Sequence, residues 1–309
     1  MAITQLSDVL VDQTAYNLGM DYALRPELYF DAAADVKPTA QAHPGSSVKF
    51  TLTSDLAAAT TALTETSDVT PVAMADSQVT VTLAEYGNAV QTSAKLRGTS
   101  FVAYDPVVAN VIGYNAGISL DTIARTAISA GTNVLYVGTD QATTAATDLL
   151  IGNHARRITA TLRTGNVPTF NGSYLGYIHP HVAYDFKKDT AASSWLVPSS
   201  YSAADQIWNG DIGTFEGIRF IETPRAVILA DAGATTVDVY ESYFMGRQAL
   251  AKAYSYTDGN GAMPTIVPGP VTDLLRRFVP LGWYWLGGYA VYRQASLYRY
   301  ESASSIGAN

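Results

Sequence analysis

Apolar and polar residues alternate at Val48, Phe50 and Leu52, set among Lys49, Thr51 and Thr53. The same period returns at Val79, Val81 and Leu83, set around Thr80 and Thr82. Alternation of this kind predicts two half-buried strands. Roughly two dozen residues rich in Ala and Thr join them, longer than connections in compact domains usually run. The pair therefore predicts a β-ribbon with a wide tip. An isolated two-stranded ribbon is marginal in water, so it is expected to lie on a neighbouring molecule.

The period changes between Tyr104 and Gly131. Val107, Val111, Tyr114 and Ile118 recur at spacings of four, three and four, flanked by a second stripe of Val108, Ile112, Ala116, Ile123 and Ala127. Polar Asn110, Asp121 and Arg125 are left over. This predicts one long helix. Asp105 before Pro106 supplies a start, and Gly131 a left-handed stop. Gly113 and Gly117 lie four apart inside it, where each costs about 1 kcal/mol against Ala. They predict a close approach by another backbone. The helix is the expected spine of the fold.

Before the ribbon, residues 1–45 carry Tyr16, Tyr22, Tyr29 and Phe30 without a regular period, interrupted by Pro26, Pro38 and Pro44. They predict an extended arm that needs an outside surface for its rings. After the spine, NVLYVG predicts a short strand, and Ile151, Ala155, Ile158 and Leu162 a second helix ended by Gly165 and Pro168. GSYLGYIHPHVAYDF predicts a buried strand turning at Pro180 into a short helix. Turns at Gly210, Gly213 and Gly217 lead into the strand IRFIET, and DVYESYFMGRQALAKAY predicts a strand running into a helical turn. Trp283, Tyr284, Trp285, Tyr289, Tyr292, Tyr298 and Tyr300 crowd the C-terminal part. There a single long strand is expected, with a bulge at Gly287–Gly288. Strands and helices mix without βαβ regularity, so the fold class is α+β.

Composition narrows the function. Charged residues make up only 15% of the 309, well below the usual quarter, as expected of a surface largely covered by other subunits. A net charge of −8 argues against tight binding to a phosphate backbone. With no Cys, disulfides and thiolate chemistry are excluded. The first residues lack the pattern of a signal peptide, and no stretch is apolar enough for a membrane helix. Candidate chemistry is thin. His179 and His181 would need a third metal ligand such as Asp185 or His154, and the simpler reading is imidazoles satisfying backbone groups at a strand end. Asp205, Asp211 and Glu216 stand near the glycines of GDIGTFEG, but their spacing fits no calcium loop and turn chemistry explains the glycines. Arg156–Arg157 and Arg276–Arg277 are isolated basic pairs. No cofactor is expected.

Six word-like blocks carry a resemblance: SSVKFTLTSDLAAATTALTETSDVTP, QVTVTLAEYGNAVQTSAKLRGTSF, DPVVANVIGYNAGISLDTIARTA, YLGYIHPHVAYDF, IGTFEGIRFIETP and YFMGRQALAKAY. The chain resembles the major capsid proteins of tailed bacteriophages with the Hong Kong 97-type fold, and more narrowly the family of the coliphage N-four coat protein. The resemblance implies an N-terminal arm over 1–45 and an extended loop over 46–83. It implies a peripheral domain over 84–131 and 264–309, and an axial domain over 132–263. It implies self-assembly as pentamers and hexamers into an icosahedral shell that encloses double-stranded DNA without sequence-specific binding, in the virion, formed in the host cytoplasm. Portal, decoration and scaffolding proteins are the possible further partners, and no membrane is involved. No long scaffolding segment precedes the arm, so a separate scaffolding protein or none is expected. No Lys lies between Thr53 and Gln78, so no covalent crosslink through the loop is expected. Subunit contacts are expected at Leu56, Leu63, Glu65 and Val72 in the loop and at Tyr16, Tyr29 and Phe30 in the arm. An encapsulin-like compartment shell, a metal enzyme around His179 and His181, and a surface-binding β-protein using the Tyr and Trp content remain as rivals.

Overall fold

Two β-sheets, accompanied by a two-stranded ribbon, pack along successive parts of one long helix. A computed structural model describes residues 29–36, 45–66, 68–99, 104–189, 212–255, 261–270, 273–275 and 277–306. In chain order the elements are β1 (Ala34–Val36), β2 (Ser47–Thr53), β3 (Asp76–Thr82), β4 (Ala84–Ser93), α1 (Ala94–Thr99), α2 (Tyr104–Ser129), β5 (Val134–Tyr136), α3 (Gly152–Thr164), β6 (Tyr174–Ile178) and α4 (Pro180–Lys188). There follow β7 (Thr214–Phe215), β8 (Ile218–Glu222), β9 (Ile228–Leu229), β10 (Val239–Met245), β11 (Leu250–Tyr254), β12 (Thr265–Pro268), β13 (Phe278–Val291) and β14 (Leu297–Ser302).

The first sheet is built around β13. Its one edge pairs with β4 over ten residues, from Phe278 opposite Ser93 to Gly287 opposite Ala84. Its other edge pairs with β12 and then β11, and β1 adds to β11 in parallel. Each register is unbroken, so β13 is one long strand, but the bulge expected at Gly287–Gly288 is absent. The glycines serve space instead. A Cβ on Gly288 would fall well inside 3.0 Å of the Thr82 carbonyl oxygen, and one on Gly287 would strike the Trp285 ring.

The second sheet runs β5-β14-β10-β6-β8-β7, with β9 added to β10. The β7–β8 hairpin turns at Glu216 (φ 51°) and Gly217 (φ 82°), the two positive-φ positions a two-residue turn of this hand demands. The helix α3 buries Ala155, Ile158 and Leu162 on this sheet, as its spacing predicted, and α4 adds Val182, Ala183 and Phe186.

The spine α2 is where the sequence predicted, but its faces are exchanged. Val111 and Tyr114 are exposed, whereas Val108, Ile112, Ala116 and Leu120 pack on Trp283, Trp285, Tyr254 and Ile266. Lower down, Ala124 and Ile128 join Phe30, Tyr243 and Leu297. Both stripes are apolar, so periodicity could not rank them; the aromatic sheet did. Gly113 and Gly117 are buried. Gly131 is not left-handed: a Cβ there would meet the Leu297 side chain at 2.8 Å. Its hydrogen bond to Ile128 closes the helix.

Three further differences concern strands. β4 had no sequence signal because one of its edges is open and most of its residues are exposed. The Ala-rich LAKAY is not helical but forms β11, all five residues buried, because a slot between β1 and β13 overrides helix propensity. The division at 131/132 and 263/264 puts β11 in the axial part and β14 in the peripheral part, yet β11 lies in the first sheet and β14 in the second. The chain therefore crosses between the sheets three times, along α2 from β4 to β5, through Gly246–Ala249 and through Tyr292–Ser296. The last two crossings bond to each other, from Gly246 N–H to Ser296 O, Tyr292 N–H to Ala249 O and Arg293 N–H to Gln248 O.

Candidate assembly surfaces

β2 and β3 pair as the alternation predicted, in a register that sets Phe50 opposite Val79 and Val48 opposite Val81. The ribbon base is not left for a neighbour. Phe50, Val81 and Leu83 are buried against Ala251, Ala253 and Tyr292 of the same chain, with the Phe50 and Tyr292 rings 5.6 Å apart. Tyr292 also donates from its hydroxyl to Thr51 O. Outward of Leu52 the burial ends. Every described residue from Thr53 to Gln78 is exposed, including Leu56, Glu65, and Leu63 and Val72 at 74% each.

The arm candidates divide. Tyr16 lies outside the described residues. Phe30, expected at a subunit contact, is fully buried within its own chain, 4.9 Å from the Tyr177 ring and 5.9 Å from that of Tyr243. Tyr29 is half-buried, and its carbonyl accepts from the Tyr177 hydroxyl. Polar groups hold this turn on both sides. The backbone N–H groups of Tyr29 and Phe30 donate to Asp121 Oδ1 at 3.1 and 3.2 Å. Arg225 Nε stands 2.7 Å from Asp121 Oδ2 as an ion pair. Burial pushes the Asp121 carboxyl up, against the two N–H groups, Arg225 and Arg125. Asp31 receives Lys252 Nζ at 2.6 Å and the Tyr289 hydroxyl at 2.6 Å. Lys252 is buried, and burial drives the Tyr289 hydroxyl far above its ordinary range.

Sequence reasoning left Asp121 among the polar residues outside both apolar stripes and did not single out Lys252. The signal was the spacing: Asp121 continues the buried row of Gly113 and Gly117 at intervals of four.

A second buried group joins the end of α2 to the second sheet. Glu241 on β10 and Glu301 on β14 sit directly opposite each other, both buried. Glu241 Oε2 accepts from Ser129 at 2.7 Å and from Tyr243 at 2.5 Å. Arg299 Nε lies 3.0 Å from Glu301 and the Arg299 guanidinium donates to Ser129 O. Burial raises the Glu301 carboxyl, Arg299 lowers it and Glu241 raises it further.

The histidines are engaged in structure. His179 is the N-cap of α4, its Nδ1 accepting from His181 N–H at 3.2 Å. Burial, then the neighbouring His181, lowers the His179 imidazole to about 4. His181 Nδ1 meets the Tyr240 hydroxyl at 3.0 Å. The suggested third ligands are held elsewhere. Asp185 accepts from Ser304 and Ser305, and His154 Nδ1 accepts from Ile151 N–H. Among the described residues no three His, Asp or Glu converge as a metal site, and no helix is long and apolar enough to cross a membrane. Glu216 holds Arg156 at 2.9 Å; Asp205 and Asp211 lie outside the described residues.

Solved structures share the fold across most of the chain. The capsid of Ralstonia phage GP4 matches with a TM-score of 0.74 at 16% identity, covering 91% of this chain and 90% of that one. The capsid of cyanophage Pam1 matches with a TM-score of 0.70 at 13% identity, over 92% and 93%. The acid-stable capsid of Helicobacter pylori bacteriophage KHP30 matches with a TM-score of 0.65 at 10% identity, over 89% of each. No curated protein sequence matches the chain. The mixed α+β architecture is the Hong Kong 97-type fold implied by the sequence blocks. The family model described as phage capsid protein spans residues 11–297, and the chain belongs to that phage capsid family.

Proposed function

We propose that this protein is the major capsid subunit, repeating as pentamers and hexamers to close an icosahedral shell around phage DNA. One observation carries the reading. The ribbon is anchored at its base in its own core, yet every described residue of its tip is exposed. A soluble single-chain protein gains nothing from holding an apolar-bearing loop of that length in water, whereas a shell subunit has a neighbour to receive it. In this reading the first sheet with α2 forms the peripheral part and the second sheet with α3 and α4 the axial part, β11 and β14 being allocated by pairing. The subunit has no catalytic task. An acidic shell, with net charge −8, repels packaged DNA weakly and leaves it free to move. Portal, decoration or scaffolding proteins complete the particle.

The test replaces Leu56–Ala75 by a short Gly-Ser turn. The buried base remains, so a soluble subunit with native circular dichroism is expected, and electron microscopy should find no closed particles. Closed shells of normal size would remove the ribbon from assembly. Nucleic acid recovered from native particles separates a genome shell from an empty compartment.

A further inference from the structure

Glu241 on β10 and Glu301 on β14 are partners in the ladder between the two strands, which sets their Cβ atoms about 5 Å apart on one face of the sheet. Water reaches neither, at 2% and 0% exposure. The two carboxyls are not served alike. Glu241 Oε2 accepts from the hydroxyls of Ser129 and Tyr243. Neither oxygen of Glu301 has a hydrogen-bond partner among the described residues, since Arg299 Nε stands 3.0 Å from Oε1 but out of line for a hydrogen bond. An unserved buried carboxyl calls for a physical reason.

Positive charge around the pair falls short of two carboxylates. From β14, Arg299 faces both, 3.0 Å from Glu301 and 3.8 Å from Glu241, and it also donates to Ser129 O. From α2, Arg125 acts on the Tyr243 hydroxyl but gives its Nη1 hydrogen to Arg225 O, and Arg225 itself is committed to Asp121. From β5, Tyr136 lies in register opposite Glu301, with Asp140 acting on it from beyond. The helix α2 ends at Ser129, so its last carbonyls add partial negative charge. Two carboxyls and a helix end thus share one close guanidinium.

We infer that the Glu241–Glu301 pair holds one proton at neutral pH, seated on Glu301, and that this proton latches the end of α2 to the second sheet. Like charges facing each other in a dry site do not both ionise, and such a pair titrates as a unit. Glu241 is the carboxylate of the two because two hydroxyls donate to it. Glu301, to which nothing donates, is the acid. Burial pushes the Glu301 carboxyl up, and Glu241 adds to this against Arg299. With the proton in place, Arg299 serves Glu241 and the last carbonyl of α2 together. Loss of the proton sets two negative charges against each other across β10 and β14, where the helix ends, and draws Arg299 toward Glu301. The latch therefore opens in alkali.

The folded chain keeps a proton that an unfolded glutamate releases near pH 4.3. Above that value the folding constant falls about tenfold for each pH unit until the native proton leaves. Other groups titrate over the same range, so the comparison is with Glu301→Gln, whose amide has the shape of the neutral acid and cannot ionise. Urea titrations of the unassembled subunit from about pH 5 to pH 7 should show the folding constant of the variant, relative to the wild type, rising about tenfold per unit. A ratio that is flat, or that levels off before pH 7, would overturn the inference. So would a Glu301→Gln chain that does not fold, because the amide removes no charge that the native state holds. Infrared spectra at pH 7 read the proton directly. The wild-type subunit should show the stretching band of a neutral carboxylic acid, and Glu301→Gln should lose it. A wild type without that band, or a variant that keeps it undiminished, would place the proton elsewhere and overturn the latch.

Discussion

Gly288→Ala isolates one close contact. The added methyl would enter well inside 3.0 Å of the Thr82 carbonyl oxygen and within 3.4 Å of a Val81 methyl. Real Cβ contacts rarely fall below 3.4 Å, so β3 and β13 must separate locally by about 1 Å. Neither yields easily: Gly288 is in register with Ala253, and Thr82 with Ser47. Forced repacking of this kind costs roughly 1–3 kcal/mol, and two constrained backbones put the expectation near 3. At this chain length 1 kcal/mol moves Tm by about 2 °C, so the unassembled subunit should melt about 6 °C lower. Gly98→Ala in α1 is the control, because nothing lies within 4 Å of its Cβ position and helix propensity should stabilise it by up to about 1 kcal/mol. Circular dichroism melts of the three proteins, under conditions that prevent assembly, give the comparison. A Gly288→Ala subunit that melts within about 1 °C of the wild type would refute the claim that glycine is required for the ribbon to cross the sheet.

Three other perturbations probe the junctions. His179 is held neutral, its folded value near 4 lying below the unfolded value of about 6.5. Protons then favour the unfolded chain, and this group alone removes up to roughly 3 kcal/mol as pH falls from 6.5 toward 4; His179→Asn, which keeps a capping acceptor, should show a smaller loss of Tm over that window. Asp121→Ala leaves Arg225 and two N–H groups without their carboxylate and should cost about 3 kcal/mol, with faster proteolysis near Tyr29 as the second readout. Gly117→Leu places bulk on a buried helix face and should lower Tm despite its propensity gain of about 0.8 kcal/mol; a higher Tm with normal assembly would remove the close-approach reading of Gly113 and Gly117.

What the sequence carried was local. Phe50 and Val79 alternate with polar residues on strands that bury one face, so both strands and their partnership were legible. Ile158 and Leu162 stand out on α3 because Arg156, Arg157 and Arg163 mark the opposite side. The spine offered no such contrast, since two apolar stripes compete and only the aromatic face of β13 selects Val108 and Ile112. Lys252 and Asp121 defeat any rule that sends charges to solvent, because their partners, Asp31 and Arg225, are 221 and 104 residues away in the chain. Phe30 was read as a contact for another subunit because its pocket, formed by Tyr177 and Tyr243, is likewise remote. The assembly role of the tip was suggested by length and poverty of large side chains, and its exposure in the fold is consistent with that.

The two strand crossings, Gly246–Ala249 and Tyr292–Ser296, run side by side and are cross-bonded. A tensile force that separates the sheets is therefore shared among three covalent paths, α2 and these two crossings, the crossings being shear-coupled by three N–H to O bonds. A nick in either crossing leaves two covalent paths between the sheets, the other crossing and α2.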